Sequence, residues 1–241
     1  MVNDDQPLGR ILTRREVLTL FGASGVLMLA EPFALAADAK EPSGCVVRPE
    51  QTEGPYFVDE SLNRSDIRSD PSDGTVKPGE PLDLTFRVSR LAANACGPLA
   101  GAVVDVWHCD HLGVYSDVRD PDFDTIGKKF LRGYQVTDAG GLARFTTIYP
   151  GWYHGRTVHI HFKIRSGPSS RRGFEFASQL YFDDALTDQV HARPPYAAKG
   201  QRSRRNTGDW IFARGGSGLL LAVARSPEGC AATFDIALQN A

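Results

Sequence analysis

Methionine and tryptophan are scarce in this chain of 241 residues, with two and three copies, and its four cysteines contain no C-x-x-C unit. The missing spacing argues against a structural zinc knuckle. Dense basic blocks are absent as well. A formal charge of -2 leaves no electrostatic footprint for nucleic acid or an anionic membrane. The short arginine groups, Arg171 with Arg172 and Arg202 with Arg204 and Arg205, read as solvated loop charge. No stretch carries sustained 3.6-residue periodicity, and no internal repeat or low-complexity tract occurs, so helical and repeat architectures are disfavoured.

Long apolar runs are missing too. The run from Val17 to Ala30 is short of the roughly 20 apolar residues a membrane span needs, and it is rich in small residues. It follows Thr13-Arg14-Arg15 and precedes Ala34-Leu35-Ala36, a small-residue cleavage signature. Residues 1–36 therefore read as a Tat-type export signal. The expected destination is periplasmic or extracellular, with no stable membrane span unless the signal is retained. In an exported chain, Cys45, Cys96, Cys109 and Cys230 suit one or two disulfides, with three pairings open.

The composition that is present, 41% hydrophobic and 23% charged, suits a globular core. Residues 37–80 are rich in proline, glycine, serine and charge, and predict an extended N-terminal wrapping segment. Residues 81–241 predict the β-sandwich domain. Leu82, Leu84, Phe86 and Val88 alternate with Asp83, Thr85 and Arg87, the period-2 pattern of a half-buried strand. Further strands are expected at 102–108, 131–137, 142–148, 158–165, 179–182, 218–224 and 232–238. Asp138-Ala139-Gly140-Gly141 offers a hairpin turn, and 185–190 a short helix. The fold class expected is all-β, an antiparallel β-sandwich with long loops.

The chemistry concentrates in Pro150-Gly151-Trp152-Tyr153-His154-Gly155-Arg156-Thr157-Val158-His159-Ile160-His161. On a strand, Val158, Ile160, Phe162 and Ile164 face the core while His159, His161 and Lys163 share the other face. Two imidazoles side by side suit a metal, with zinc, copper, nickel and iron all open. Tyr153 stands just before that strand. Tyr115 stands beyond Asp105-Val106-Trp107-His108-Cys109-Asp110, where another strand runs into a loop. Adding two phenolates gives a hard donor set suited to iron(III).

These stretches, with Glu53-Gly54-Pro55-Tyr56-Phe57 and Ser178-Gln179-Leu180-Tyr181-Phe182, resemble the intradiol ring-cleavage dioxygenases, the family of protocatechuate 3,4-dioxygenase and catechol 1,2-dioxygenase. The resemblance implies an Fe(III) enzyme that cleaves catechols with O2 to cis,cis-muconate-type diacids. It implies Tyr115 and His159 as equatorial ligands and Tyr153 and His161 as axial ones. Tyr153 would leave the metal and help take up a substrate proton. Arg156 would steady developing charge, Gln179 would stand beside the iron, and Pro55 and Tyr56 would line the substrate pocket, a contribution of the 37–80 segment. His108 and His154 are expected near the pocket, and His111 and His191 away from it. Only five residues separate Tyr153 from His159, fewer than in the protocatechuate and catechol enzymes, which implies a more open pocket, as in exported members. All four ligands lie in one chain, which leaves a monomer and a homo-oligomer both open.

Overall fold

The computed structural model describes residues 45–92, 95–167 and 173–239. The signal segment expected at 1–36 and the pair Arg171–Arg172 lie outside them.

Two sheets pack face to face. The first is built around β1 (Pro81–Ala92), whose alternating pattern buries Leu82, Leu84, Phe86 and Val88. β1 pairs antiparallel with β2 (Ala95–Pro98) and β7 (Leu142–Ile148), and parallel with β11 (Gly229–Gln239), which carries β10 (Val223–Ser226) on its outer edge. The sandwich is thus mixed at one pair: the last strand runs beside the first in the same direction. Between them, β3 (Val103–Trp107), β6 (Arg132–Val136), β8 (His159–Arg165) and β9 (Glu175–Tyr181) form an antiparallel second sheet in the order β6-β3-β8-β9. A small hairpin, β4 (Arg119–Asp120) with β5 (Phe123–Asp124), projects from the loop after β3.

Phe86 and Phe234 of the first sheet meet Phe162 of the second, at 5.2 Å and 5.5 Å between ring centres, and Phe145 packs edge-on against Phe86 at 6.1 Å. Truncating one such buried phenylalanine to alanine costs about 3–5 kcal/mol. The turn after β6 closes as the Asp138–Gly141 sequence dictates: Gly141 takes φ +73° and donates to the Asp138 carbonyl. A Cβ on Gly141 would lie 2.2 Å from the Val88 carbonyl oxygen, so only glycine fits.

Two sequence expectations change. Residues 218–224 form a 3-10 turn (Gly216–Leu219) and one bridge from Leu220 to Tyr181 before β10 starts at Val223; Gly216 and Gly218 in that stretch favour a turn over a strand. Arg202 is not solvated: 5% of its side chain is exposed and it bonds Asp184 and Asp188 of α1 (Asp184–His191). One disulfide forms, Cys45 to Cys96, while Cys109 and Cys230 are buried and unpaired. No helix among the described residues is long and apolar enough to cross a membrane.

Candidate active site

Strand register builds the floor of the site. Across β3, β8 and β9, Trp107, His161 and Gln179 lie directly opposite one another, and His159 lies opposite Tyr181. Val106, Ile160 and Phe162 alternate with them and enter the core. The imidazole face is covered as well: His159 is 2% exposed and His161 1%. The extended N-terminal segment supplies the cover, tied by the Gln51 N–H to the Ala177 carbonyl and by the Gln179 side-chain amide to the Thr52 carbonyl, each at 3.0 Å.

Two loops deliver the tyrosines. After β3, Asp110 accepts the N–H groups of Leu112 and Val114 and pairs with Lys77 at 2.9 Å, which fixes the turn leading to Tyr115. The Pro150-Gly151 turn leads to Tyr153. The loops touch backbone to backbone: a Cβ on Gly151 would lie 2.5 Å from the Asp110 and His111 carbonyl oxygens, and one on Gly113 would lie 2.2 Å from that of Trp152.

Three donor atoms converge on His159 Nε2, itself the fourth. The Tyr153 hydroxyl lies 3.2 Å away, the Tyr115 hydroxyl 3.5 Å, and His161 Nε2 3.0 Å. Because His159 Nδ1–H donates to the Thr157 carbonyl at 2.6 Å, Nε2 keeps its lone pair. The His161 ring is sandwiched: Trp107 stacks on it at 5.1 Å and 6°, and Gly54, at φ +76°, leaves room that a Cβ would narrow to 3.1 Å from the ring. Burial holds both imidazoles far below the usual histidine range and therefore neutral, with Arg156 adding to the effect. Burial also pushes the Tyr115 phenol well above its ordinary range and Tyr153 up to about 12. Neutral nitrogens facing phenols in a buried cluster form a pocket for a cation, whose charge would reverse the phenol shift. Among the described residues no set of three or more His, Cys, Asp or Glu is arranged to hold a metal, so a metal bound here by protein groups would draw on the tyrosines. Tyr115, Tyr153, His159 and His161 fit iron(III) by donor type.

Arg156 lies beside this cluster. Its Nη2 donates to Gln179 Oε1 at 2.6 Å and its Nε to Asp209 Oδ2 at 2.8 Å. Asp209 is buried, and its carboxylate also accepts the N–H groups of Thr157, Ile211 and Phe212. Tyr56 stacks on Tyr115 at 4.5 Å, meets Tyr153 edge-on at 6.5 Å, and donates its hydroxyl to Asp120 Oδ2 at 2.6 Å. Pro55, next to it, is exposed.

Sequence reasoning missed Trp107 as the plate on His161, Asp209 as the anchor of Arg156, and Asp120 on the short hairpin. Trp107 was findable, sitting two residues beyond Asp105 on the face opposite Val106; the other two are loop carboxylates without periodic context. His108 serves the fold instead of the pocket: Nδ1–H donates to the Cys109 carbonyl at 2.8 Å and Nε2 meets the Thr147 hydroxyl at 2.7 Å. His154 is exposed, and His191 bonds the Pro150 carbonyl at 3.0 Å.

Residues 52–239 match the family model described as "Dioxygenase". A protocatechuate 3,4-dioxygenase beta chain of Burkholderia cepacia is 31% identical over 157 residues, 60% of this chain and 65% of that one. A chlorocatechol 1,2-dioxygenase of Pseudomonas putida is 35% identical over 104 residues, 35% of this chain and 36% of the relative. These alignments thus span between about a third and two thirds of the curated relatives. The solved intradiol ring-cleavage dioxygenase of Tetranychus urticae superposes with a TM-score of 0.68 at 29% identity, covering 81% of this chain and 95% of that one. With its sandwich, its tyrosine and histidine cluster and a match over most of its length, this chain belongs to the intradiol ring-cleavage dioxygenases, a family of non-haem iron enzymes.

Proposed function

We propose that this protein cleaves catechol-type diols between their two hydroxyl-bearing carbons, consuming O2 and giving cis,cis-muconate-type diacids, with iron(III) held by Tyr115, Tyr153, His159 and His161. The convergence of two phenols and two neutral imidazoles on one buried point carries the reading. Iron(III), when bound, supplies Lewis-acid activation of the diol.

The chain's own groups have separable tasks. The Thr157 carbonyl orients His159, and Trp107 and Gly54 fix the plane of His161. Tyr153 is half-buried with its hydroxyl 3.2 Å from His159 Nε2, and its phenol oxygen is the group placed to hold a proton surrendered by the diol. Arg156, anchored on Asp209 and Gln179, keeps a fixed positive charge beside the reacting diol, where charge that develops can be stabilised without reorganisation. Tyr56 walls the site against Tyr115 and Tyr153, and Pro55 starts that wall. The five-residue link from Tyr153 to His159 favours an open pocket. We further propose export, a reading supported by the Cys45–Cys96 disulfide, since such bonds persist in oxidising compartments.

The test is product analysis. Iron-loaded protein given catechol and 18O2 should yield muconate carrying both labelled atoms. A ring-opened semialdehyde, or no oxygen uptake with any catechol, would overturn the reading.

A further inference from the structure

The charge around the donor cluster is unevenly compensated. Arg156 is matched by Asp209 at 2.8 Å. Lys163, on the same strand face as the histidines, is matched by Glu53 at 2.6 Å and Glu175 at 3.2 Å and lies over the Phe57 ring. Arg132, beneath Tyr56, spends its guanidinium on the Tyr56 carbonyl and on Ser116, with Glu60 and Asp117 in its field. On the hairpin, Arg119 pairs with Asp124 at 2.8 Å. Asp120 has no such partner: among the described residues no lysine or arginine forms an ion pair with it. Its Oδ2 accepts from Tyr56 at 2.6 Å and its Oδ1 from the Asp122 N–H at 3.0 Å. Asp122 adds a second negative charge in the field of Tyr56.

Tyr56 is the aromatic wall shared by Tyr115 and Tyr153, so a ring held at the donor cluster lies alongside it. Asp120, bonded to the Tyr56 hydroxyl at 2.6 Å, then stands behind the wall that faces that ring. We propose that Asp120 is a specificity residue that rejects catechols carrying an anionic ring substituent and favours neutral or cationic ones. This rests on the proposed ring cleavage and names its substrate class. The effect is through-space repulsion from a half-buried carboxylate, so it does not require the substituent to touch it. For unit charges roughly 10 Å apart in an effective dielectric near 20, repulsion amounts to about tenfold in kcat/KM.

The experiment compares kcat/KM of the iron-loaded enzyme for 4-methylcatechol, protocatechuate and 3,4-dihydroxyphenethylamine, in the wild type, Asp120→Asn and Tyr56→Phe. The wild type should prefer the methyl and amine substrates to protocatechuate by at least about tenfold. Asp120→Asn should narrow the gap to protocatechuate by roughly that factor, and added salt should narrow it in the wild type. Tyr56→Phe removes the hydrogen bond but keeps the carboxylate, so its gap should persist. Equal wild-type use of protocatechuate and 4-methylcatechol would overturn the proposal alone, as would a gap that Tyr56→Phe closes as fully as Asp120→Asn. No ring opening with any of the three would overturn the proposed function and this inference with it.

Discussion

Asp209 Oδ2 binds Arg156 Nε and the Thr157 N–H at the same distance, 2.8 Å. One buried carboxylate therefore holds the guanidinium and the backbone of Thr157, the residue whose carbonyl orients His159. Arg156 reinforces this by keeping Asp209 below the usual carboxylate range against the opposing effect of burial. Asp209→Asn should lower kcat/KM by roughly 10- to 100-fold, the scale of losing a partner that orients a metal ligand. Steady-state kinetics alongside the visible spectrum checks this: an altered spectrum with lowered kcat identifies positioning, and unchanged values for both remove Asp209 from the account.

Removing the same carboxylate also leaves Arg156 buried without its counter-charge. Asp209→Ala should cost about 3–5 kcal/mol of unfolding free energy, whereas Asp209→Asn, which keeps a hydrogen-bond acceptor, should cost less. Denaturant unfolding of both variants measures the difference.

The loops carrying Tyr115 and Tyr153 meet at Gly151, where a Cβ would lie 2.5 Å from two carbonyl oxygens. Gly151→Ala should therefore separate the loops, cost about 1–3 kcal/mol, and lower iron occupancy. Metal analysis of the purified variant is the readout, and full occupancy at wild-type stability would contradict the role given to this contact.

Of the fold, the alternating strands were legible because one buried face imposes period 2. β1 shows Leu82, Leu84, Phe86 and Val88 buried as the pattern predicts. The parallel pairing of β1 with β11 was not legible, because burial alternation is the same whichever way a neighbour runs. Of the site, the spacing of His159 and His161 put both on one face. Asp120 and Asp209 stayed hidden because their partners, Tyr56 and Arg156, lie 64 and 53 residues away. Nothing local in a loop carboxylate says which of many surface charges it will meet. Arg202 misled for the same reason, reading as solvated while its partners sit on α1.

His108 is fully buried, and burial lowers its pKa from 6.5 to about 4. The unfolded chain thus binds a proton in this window that the folded chain refuses, so the contribution is intact above pH 6.5 and is lost as pH falls toward 4. Wild-type stability should fall in that interval, and His108→Gln, though less stable at pH 7, should show a slope smaller by about 1.4 kcal/mol per pH unit. Urea unfolding at pH 7, 6 and 5 tests it; identical slopes would contradict the assignment.

The central claim is that Tyr115 and Tyr153 hold iron(III) as phenolates, and the visible spectrum of the iron-loaded protein tests it most directly. The account predicts a red-brown charge-transfer band that shifts when catechol is added under nitrogen, weakens in Tyr153→Phe and is altered further in Tyr115→Phe. A colourless iron-loaded protein, or a band indifferent to both substitutions, would contradict it.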